Sequence, residues 1–244
     1  MANTGGDLRD RVILVAGASS GMGRATAMAL ADTGARLVLA SRNHHALDIL
    51  ADEIARTPGR ALAVPTDVTD RKAVERLVEA TLAEYGQVDA AVITAGTNIP
   101  RRTIDELTTE SWADVLAVNL TASFNITQVI VPVLRERGGQ IVYVSSAAAK
   151  KPDASGVAYQ ATKAGLVGLA HGTMEEERKH GIRTTVIFPG LTDTPLVEKR
   201  PTPTPPDVLA RALQPEDVAA ACVFVLRLPP RAYVPELLLY PSQL

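Results

Sequence analysis

Cysteine is almost absent from this sequence, which has Cys222 as the only one among 244 residues. An intrachain disulfide is therefore impossible, and a metal cluster held by several thiolates is excluded. Cys222 lies in the apolar run Ala-Cys-Val-Phe-Val, which is typical of a buried and inert thiol. The histidines offer no alternative, because His44 and His45 have neither a cysteine partner nor the spacing of an HExxH motif. We therefore predict no metal site.

A strong charge of either sign and long apolar runs are missing as well. The net charge of −2 gives no reason to expect nucleic acid or an anionic membrane as a partner. The first ten residues, MANTGGDLRD, lack the apolar region of a signal peptide. No apolar run approaches the ~20 residues that a membrane-spanning helix needs. We expect a cytoplasmic protein without a membrane or nucleic-acid partner, although an organelle address stays open.

In place of these features, short apolar runs alternate with helical segments. Apolar residues make up 46% and charged residues 21% of the chain, which suits a single α/β domain of this length. The apolar runs predict strands at residues 12–16, 37–40, 61–64, 88–93, 141–144, 184–188 and 237–239. Helices are predicted at residues 22–31, 46–55, 72–85, 111–137 and 159–179. Runs of Val, Ile and Leu without alternation indicate strands buried on both faces, so we expect a doubly wound, mostly parallel sheet in a three-layer α/β/α arrangement.

One segment breaks this composition, the run RPTPTPP at residues 200–206. Repeated prolines prevent a regular helix or a central strand there. The segment is either a plain surface connection or a lid over the active site. Its position between the last long crossover and the C-terminal helix favours the lid, and we expect residues 191–213 to form a substrate loop.

A glycine-rich loop follows the first predicted strand and opens directly into a helix. A tight turn of this kind needs backbone angles that side chains disfavour, and a pyrophosphate can approach closely only where no Cβ intervenes. The helix N-terminus adds free N–H groups and the positive end of the helix dipole. A plain glycine turn is the alternative, but the context favours a dinucleotide site. The predicted contacts are Gly17, Ser19, Ser20, Gly21, Met22 and Gly23.

Acidic residues are missing where the second predicted strand ends, in Leu-Ala-Ser-Arg-Asn at residues 39–43. An NAD site usually presents a carboxylate there, which accepts from the ribose hydroxyl. Arg42 can instead form charge-assisted hydrogen bonds to a 2′-phosphate. We therefore expect NADP(H) to be preferred over NAD(H), with Ser41 and Arg42 as contacts. The alternative is that Arg42 is only a solvated loop residue. Arg24, on the first predicted helix, either assists Arg42 in binding the 2′-phosphate or faces solvent.

Tyr159 and Lys163 lie four residues apart within a predicted helix, which places them on one face. A phenol titrates near pH ~10, and a nearby ammonium lowers that pKa. The pair is therefore a candidate acid/base unit. Ser146 ends a predicted strand thirteen residues earlier, at the edge where doubly wound sheets bind ligands.

The glycine loop, the strand-end serine, the YxxxK pair and their order resemble the short-chain dehydrogenase/reductase family over residues 11–225. The resemblance implies one Rossmann-type, dinucleotide-binding and catalytic domain over residues 1–244, with a flexible N-terminus at residues 1–10. It implies that Tyr159 exchanges a proton with the substrate oxygen, which Ser146 orients. Lys163 would bind the nicotinamide ribose and depress the tyrosine pKa, and Asn119 would hold a water of a proton relay. The nicotinamide would supply the hydride.

The resemblance also implies further cofactor contacts. Asp67 and Val68 would contact the adenine, and the Thr94-Ala95-Gly96 segment would lie beside the adenosine ribose. Residues that would hold the nicotinamide carboxamide are Pro189, Gly190, Thr192 and Thr194. Each has a structural alternative: Asp67 as a helix N-cap, Asn119 as a satisfied core amide, and Pro189-Gly190 as a strand-ending turn.

The chain departs from the family pattern at three places. Ala16 stands where a threonine usually braces the glycine loop, and Thr94 stands where an asparagine is usual. The C-terminal tail lacks the usual Gly-Gly segment, which leaves a tetramer built through that tail open. We still expect a homo-oligomer, either a dimer or a tetramer.

The expected activity is that of a carbonyl reductase or alcohol dehydrogenase acting on a small-molecule carbonyl or alcohol with NADP(H). The substrate options are a 3-oxoacyl thioester or a small ketone, sugar or secondary alcohol. Arg101 and Arg102 follow the fourth predicted strand, and they either attract an anionic substrate or are solvated. A sensor that binds NADP without turnover is the second hypothesis.

Overall fold

The computed structural model of the protein describes residues 6–243, and its framework is one sheet of seven strands. The strand order is β3-β2-β1-β4-β5-β6-β7, and each neighbouring pair is parallel. The strands are β1 (Val12–Ala16), β2 (Arg36–Ser41), β3 (Arg60–Pro65), β4 (Ala90–Ile93), β5 (Gly139–Val144), β6 (Ile182–Pro189) and β7 (Glu236–Leu239). The predicted doubly wound parallel sheet is confirmed, and each predicted strand lies within two residues of its predicted bounds.

Helices cover both faces of this sheet, as the three-layer prediction requires. They are α1 (Gly21–Ala31), α2 (His44–Ile54), α3 (Arg71–Tyr85), α4 (Thr109–Leu116), α5 (Ala122–Leu134), α6 (Val157–Glu177), α7 (Pro206–Leu209) and α8 (Pro215–Leu226). Successive strand residues point to opposite faces, so Ile13 and Val15 pack with α1, α2 and α8. Val12 and Leu14 pack with α3, α5 and α6. These side chains are buried, and the hydrophobic core is therefore two layers, one on each side of the sheet.

The sheet reverses its winding at β1, which pairs with β2 on one side and with β4 on the other. In open α/β sheets, ligands bind in the crevice outside the carboxyl ends of the strands at such a switch point. The loops that follow β1 to β6 all leave from this edge. The fold therefore brings the predicted strand-end segments, including Asp67 and Val68 after β3, to one edge of the sheet.

The long helix predicted at residues 111–137 is interrupted. A π-helical turn, Ala117–Thr121, separates α4 from α5 and has Asn119 at its centre. A π turn inserts an extra residue into the helical ladder, and such turns are frequent at functional sites. The helical stretch is therefore present as predicted, and its register change is one that tertiary contacts, not local helix propensity, impose.

The same helical stretch, Thr109–Leu134, is long and apolar enough to cross a membrane by length and composition alone. Half of its most apolar window is buried inside the protein. It packs against α3, α6 and β5. Core helices of globular proteins satisfy the same composition test, and this packing accounts for the apolar composition of the stretch.

The segment at residues 191–213 leaves the carboxyl end of β6 and returns to its own starting point. The amide of Leu213 donates to the carbonyl of Leu191 at 3.0 Å, and the amide of Asp193 donates to the carbonyl of Leu213 at 2.8 Å. A 3₁₀ turn (Pro195–Lys199), the proline run and α7 lie between these closing bonds. The segment therefore forms a closed excursion beside the site, and its role as a substrate loop or mobile lid stays a prediction.

Half of the predicted flexible N-terminus, residues 1–10, lies outside the described residues. In the described half, Leu8 is buried and the amide of Gly6 donates to the carbonyl of Arg227 at 2.8 Å. Asp10 forms an ion pair with Arg36 at 2.7 Å. Residues 6–10 are therefore held against the ends of α8 and β2, in contrast to the prediction.

Candidate active site

The loop between β1 and α1 is built around glycine. Gly17 has a φ of +91°, and a Cβ at Gly23 would lie 2.1 Å from the carbonyl oxygen of Gly17. No side chain could occupy either position without displacing the backbone. Ser20 precedes α1 and forms no side-chain cap, so the first N–H groups of the helix are left for an anion.

Thr94 supplies the hydroxyl that Ala16 lacks. Its Oγ1 donates to the carbonyl of Ala16 at 2.8 Å, and its backbone amide donates to the same oxygen at 2.9 Å. A Cβ at Gly17 would lie 2.7 Å from this Oγ1, so the hydroxyl packs directly on the glycine loop. The Thr94 hydroxyl therefore compensates, from the end of the neighbouring strand, for the hydroxyl that Ala16 lacks.

The glycine loop lines one side of an elongated cavity of about 380 Å³, here called the glycine-loop cleft. Sixteen of the predicted residues border it: Gly17, Ser19, Ser20, Gly21, Met22, Gly23, Ser41, Arg42, Asp67, Val68, Thr94, Ala95, Gly96, Tyr159, Lys163 and Thr194. The cleft runs from the end of β2 to the start of α6. Its length and its loop at a helix N-terminus fit a dinucleotide.

At the β2 end of the cleft, Arg42 is exposed and lies near Asp67. The Asp67 carboxylate accepts hydrogen bonds from the amide and the hydroxyl of Thr69 at 2.9 and 2.7 Å. These bonds lower the pKa of Asp67, and the Arg42 charge lowers it further. Asp70 caps α3 in its place, so the N-cap alternative for Asp67 was wrong. Arg24 forms an ion pair with Glu53.

Lys163 is buried beside the end of β5. Its Nζ donates to the carbonyl of Val144 at 3.0 Å, and its own carbonyl accepts from the Ser145 hydroxyl at 2.7 Å. A Cβ on Gly96 would lie 3.2 Å from Nζ. Glycine at this position therefore keeps the ammonium open to the cleft.

Burial sets the acidity of the two central groups. Burial raises the pKa of Tyr159, and the Ser146 hydroxyl, Arg102 and Arg200 oppose that rise. Burial also lowers the pKa of Lys163 to about 8. Nζ of Lys163 lies 5.8 Å from the centre of the Tyr159 ring, and the predicted lowering of the tyrosine pKa by this ammonium stays a prediction.

Asn119 lies behind the cleft and is fully buried. Its Oδ1 accepts from the amide of Thr97 at 2.7 Å, and its Nδ2 donates to the Thr97 carbonyl and the Thr162 hydroxyl at 3.0 and 3.1 Å. The side chain thereby ties the loop after β4 to α6, one residue before Lys163. The alternative of a satisfied core amide is met, and the water-holding role stays a prediction.

A second cavity of about 520 Å³ opens beyond Tyr159 and is here called the strand-end cavity. Tyr159, Met22, Ser145, Thr194 and Leu196 border both cavities. The predicted residues that border only the strand-end cavity are Ser146, Pro189, Gly190 and Thr192. The phenol and the Ser146 hydroxyl therefore stand where the two cavities meet.

The strand-end cavity also has one wall that sequence reasoning missed. Tyr240 and Pro241 follow β7 and border it, while Asn98 and Arg102 come from the loop after β4, where the sequence raised an anionic-substrate role for Arg102. Pairing of β7 with β6 carries the tail to the carboxyl edge of the sheet. The predicted strand at residues 237–239 was the available signal that the tail ends near the site.

The loop arginines behave differently from each other. Arg101 is exposed and lies 3.8 Å from Glu106, as a solvated loop residue would. Arg102 is only 7% exposed. The solvated alternative was therefore wrong for Arg102. Across residues 6–243, no group of three or more His, Cys, Asp or Glu side chains is placed to hold a metal ion.

The family model described as short chain dehydrogenase matches residues 11–204 of the chain. The 3-oxoacyl-(acyl-carrier-protein) reductase FabG of Thermotoga maritima is 33% identical over 224 residues, which cover 89% of this chain and 91% of that protein. An uncharacterized oxidoreductase of Staphylococcus haemolyticus is 34% identical over 237 residues, covering 96% of this chain and 99% of that protein.

Solved structures resemble the chain along nearly its whole length. An alcohol dehydrogenase from the archaeon Thermococcus sibiricus, complexed with 5-hydroxy-NADP, has a TM-score of 0.88 at 27% identity and covers 97% of this chain and 98% of that one. A 3-ketoacyl-(acyl-carrier-protein) reductase from Brucella melitensis, complexed with NADH, also has a TM-score of 0.88, at 26% identity, covering 97% of this chain and 99% of that one.

Proposed function

The chain belongs to the short chain dehydrogenase family, and we propose that it is an NADP(H)-dependent oxidoreductase that interconverts a carbonyl and a secondary alcohol. The observation that carries the proposal is the position of Tyr159. Its phenol borders both the glycine-loop cleft and the strand-end cavity. A cofactor in the first and a substrate in the second would both reach it.

The residues of the glycine-loop cleft fit a nicotinamide dinucleotide. Gly17 and Gly23 leave no Cβ between the loop and a pyrophosphate, and the N-terminus of α1 favours its charge. Gly96 leaves Lys163 accessible to a ribose. When bound, the nicotinamide ring gives or takes the hydride at the substrate carbon. The similar solved structures hold an NADP derivative and NADH.

The protein's own contribution is proton transfer at the substrate oxygen. The raised pKa of Tyr159 keeps the phenol protonated at neutral pH, which is the form that donates to a carbonyl oxygen. Ser146 lies beside the phenol and holds that oxygen by a hydrogen bond. Lys163, fixed by the Val144 carbonyl, places its charge at the inner end of the cleft.

Selection of NADP(H) over NAD(H) is assigned to Arg42. The cleft has no carboxylate directly at the end of β2, where a ribose 2′-hydroxyl would otherwise find an acceptor. Arg42 is exposed there and free to meet a 2′-phosphate. We further propose a cytoplasmic location, a small-molecule substrate and a homo-oligomeric assembly, of two or four chains.

Replacement of Tyr159 with phenylalanine tests the catalytic assignment. The change removes one hydroxyl and keeps the ring, so NADPH binding should persist while carbonyl reduction falls by about 100-fold or more. The measurement is NADPH binding by fluorescence alongside NADPH oxidation with a carbonyl panel. Full turnover in the variant would remove Tyr159 as the proton donor, and binding without turnover in the unmodified protein would favour a sensor.

A further inference from the structure

The strand-end cavity has an uneven charge. Three cationic residues border it, Arg102, Lys151 and Arg200, against one carboxylate, Asp153. Asp153 is also engaged locally, because its Oδ1 accepts from the amide of Ser155 at 2.8 Å. The cavity therefore presents net positive charge to a substrate that reaches Ser146 and Tyr159.

Arg102 is the residue whose positive charge points to an anionic ligand. It is 7% exposed, and a guanidinium stays ionised even where burial lowers its pKa. Its Nε donates to the carbonyl of Ile99 at 2.8 Å, and its Nη2 donates to the carbonyl of Lys199. These bonds fix the head of the side chain without neutralising it. Throughout residues 6–243, no carboxylate forms an ion pair with Arg102, unlike Arg101, which lies near Glu106.

A buried guanidinium without an ion-pair partner is unfavourable unless a counter-charge arrives, and the Asp153 charge offsets only part of this cost for Arg102. Arg200 adds to this cost, because its positive charge also lowers the pKa of Arg102. Arg200 is exposed and lies in the proline-rich segment, where it donates to the hydroxyl of Thr204 at 3.0 Å. Two arginines from separate loops thus border the same cavity.

We propose that the substrate is an oxo acid or hydroxy acid, whose carboxylate is held by Arg102 and Arg200 while its carbonyl or alcohol oxygen faces Ser146 and Tyr159. This inference rests on the proposed function and adds the substrate class. A planar carboxylate matches the donor fork of a guanidinium. A 3-oxoacyl thioester is neutral near its reacting carbonyl and leaves Arg102 without a counter-charge.

The test compares acids with esters of the same length. Reduction of acetoacetate and levulinate is measured against reduction of their methyl esters, in the unmodified protein and in Arg102→Gln, Arg200→Gln and Arg101→Gln. Arg101→Gln is the matched control, since its side chain is exposed and adjacent in sequence. NADPH binding is measured for every variant to establish an intact fold.

We expect the unmodified protein to prefer the acids in kcat/KM. Arg102→Gln and Arg200→Gln should lower kcat/KM for the acids by on the order of 10- to 100-fold while the esters change little. Arg101→Gln should change neither. Arg200→Gln removes no bond to a backbone carbonyl, and Thr204→Val, which removes the hydroxyl that Arg200 donates to, shows how much of its effect is loop support.

Other outcomes would overturn the inference in distinguishable ways. If the unmodified protein turned over acids and esters equally, Arg102 would have a structural role only. The same would follow if Arg102→Gln and Arg200→Gln reduced the turnover of acids and esters equally. Either result would leave the oxidoreductase proposal intact.

A second outcome would assign the site to a phosphate. The unmodified protein would prefer an acetoacetyl thioester of coenzyme A over its N-acetylcysteamine analogue, and Arg102→Gln would lose this preference. Failure to oxidise NADPH with any carbonyl would contradict the proposed function itself. In that case calorimetry with levulinate tests the anion site alone. Binding that is weaker in Arg102→Gln would support the anion site, and the absence of binding to the unmodified protein would refute the anion site.

Discussion

At the scale of single residues, desolvation controls the chemistry of the site. Tyr159 and Lys163 are enclosed by the loops at the carboxyl ends of the strands, and burial disfavours the charged form of each. The pKa of the phenol rises and the pKa of the ammonium falls to about 8. Burial thus favours the neutral form of both groups, the protonated phenol of Tyr159 and the neutral amine of Lys163.

Arg42 offers a residue-scale test of cofactor choice. Replacement with alanine should weaken NADPH binding by on the order of 10- to 100-fold, the loss expected for charge-assisted hydrogen bonds. NADH binding should hardly change. Fluorescence titration with both cofactors measures the ratio, and Arg24→Ala is the control because Arg24 pairs with Glu53. Equal losses for NADPH and NADH would remove the 2′-phosphate argument.

Thr94 offers a contrasting residue-scale test. Thr94→Val keeps the shape of the side chain and removes the hydrogen bond to the Ala16 carbonyl, which costs about 1 kcal/mol. Because this bond braces the glycine loop, NADPH and NADH should both bind about 3- to 10-fold more weakly. Fluorescence titrations with NADPH and with NADH measure both losses. A loss confined to NADPH would contradict the bracing role.

Sequence reasoning reached the glycine loop and the Tyr159–Lys163 pair because their signals are local. A glycine turn before a helix and a four-residue spacing on one helix do not depend on distant parts of the chain. The burial of Arg102 does depend on them, since the Lys199 carbonyl reaches it across 97 residues of sequence. The burial that raises the pKa of Tyr159 likewise depends on distant parts of the chain, so no local signal reports it.

At the scale of elements, α5 and α6 are joined by one ion pair. Glu177 near the end of α6 accepts from Nε and Nη2 of Arg135 at 2.7 and 2.5 Å, and from His180 at 3.0 Å. The Arg135 hydrogen bonds lower the pKa of Glu177 to about 2, from an ordinary value of 4.5. The carboxylate therefore contributes stability above about pH 4.5, which is lost as the pH falls toward 2.

Glu177→Gln tests this link between the two helices. The variant should lose about 1 to 3 kcal/mol of the free energy of unfolding at neutral pH. The difference from the unmodified protein should shrink as the pH falls from about 4.5 toward 2, because protonation removes the same charge. Urea denaturation at neutral pH and in acid measures it. Glu175→Gln, whose side chain is exposed, is the control, and equal pH dependence in all three proteins would contradict the account.

The strands and helices were largely predictable from the sequence, and the π turn that interrupts one helical stretch was not. Continuous Val, Ile and Leu runs identify strands buried on both faces because only such strands need apolar side chains on both sides. The π turn at Ala117–Thr121 carries no comparable signal, since Asn119 is drawn inward by Thr97 and Thr162 from other elements. Tertiary contacts decide that register.

At the scale of the whole molecule, the winding of the sheet places two cavities side by side. Loops after each of the strands β1 to β6 border the glycine-loop cleft, and loops after β4, β5 and β6 join the C-terminal tail around the strand-end cavity. Tyr159 stands between them. The account therefore treats one cavity as the cofactor site and the other as the substrate site.

Titration of the unmodified protein with NADPH and NADH, followed by addition of ketones, oxo acids and 3-oxoacyl thioesters, tests this account most directly. Nicotinamide fluorescence reports binding, and its loss on addition of a carbonyl reports oxidation. The account predicts tighter binding of NADPH than of NADH, and NADPH oxidation by at least one carbonyl class. Failure of well-folded protein to bind either cofactor would contradict it.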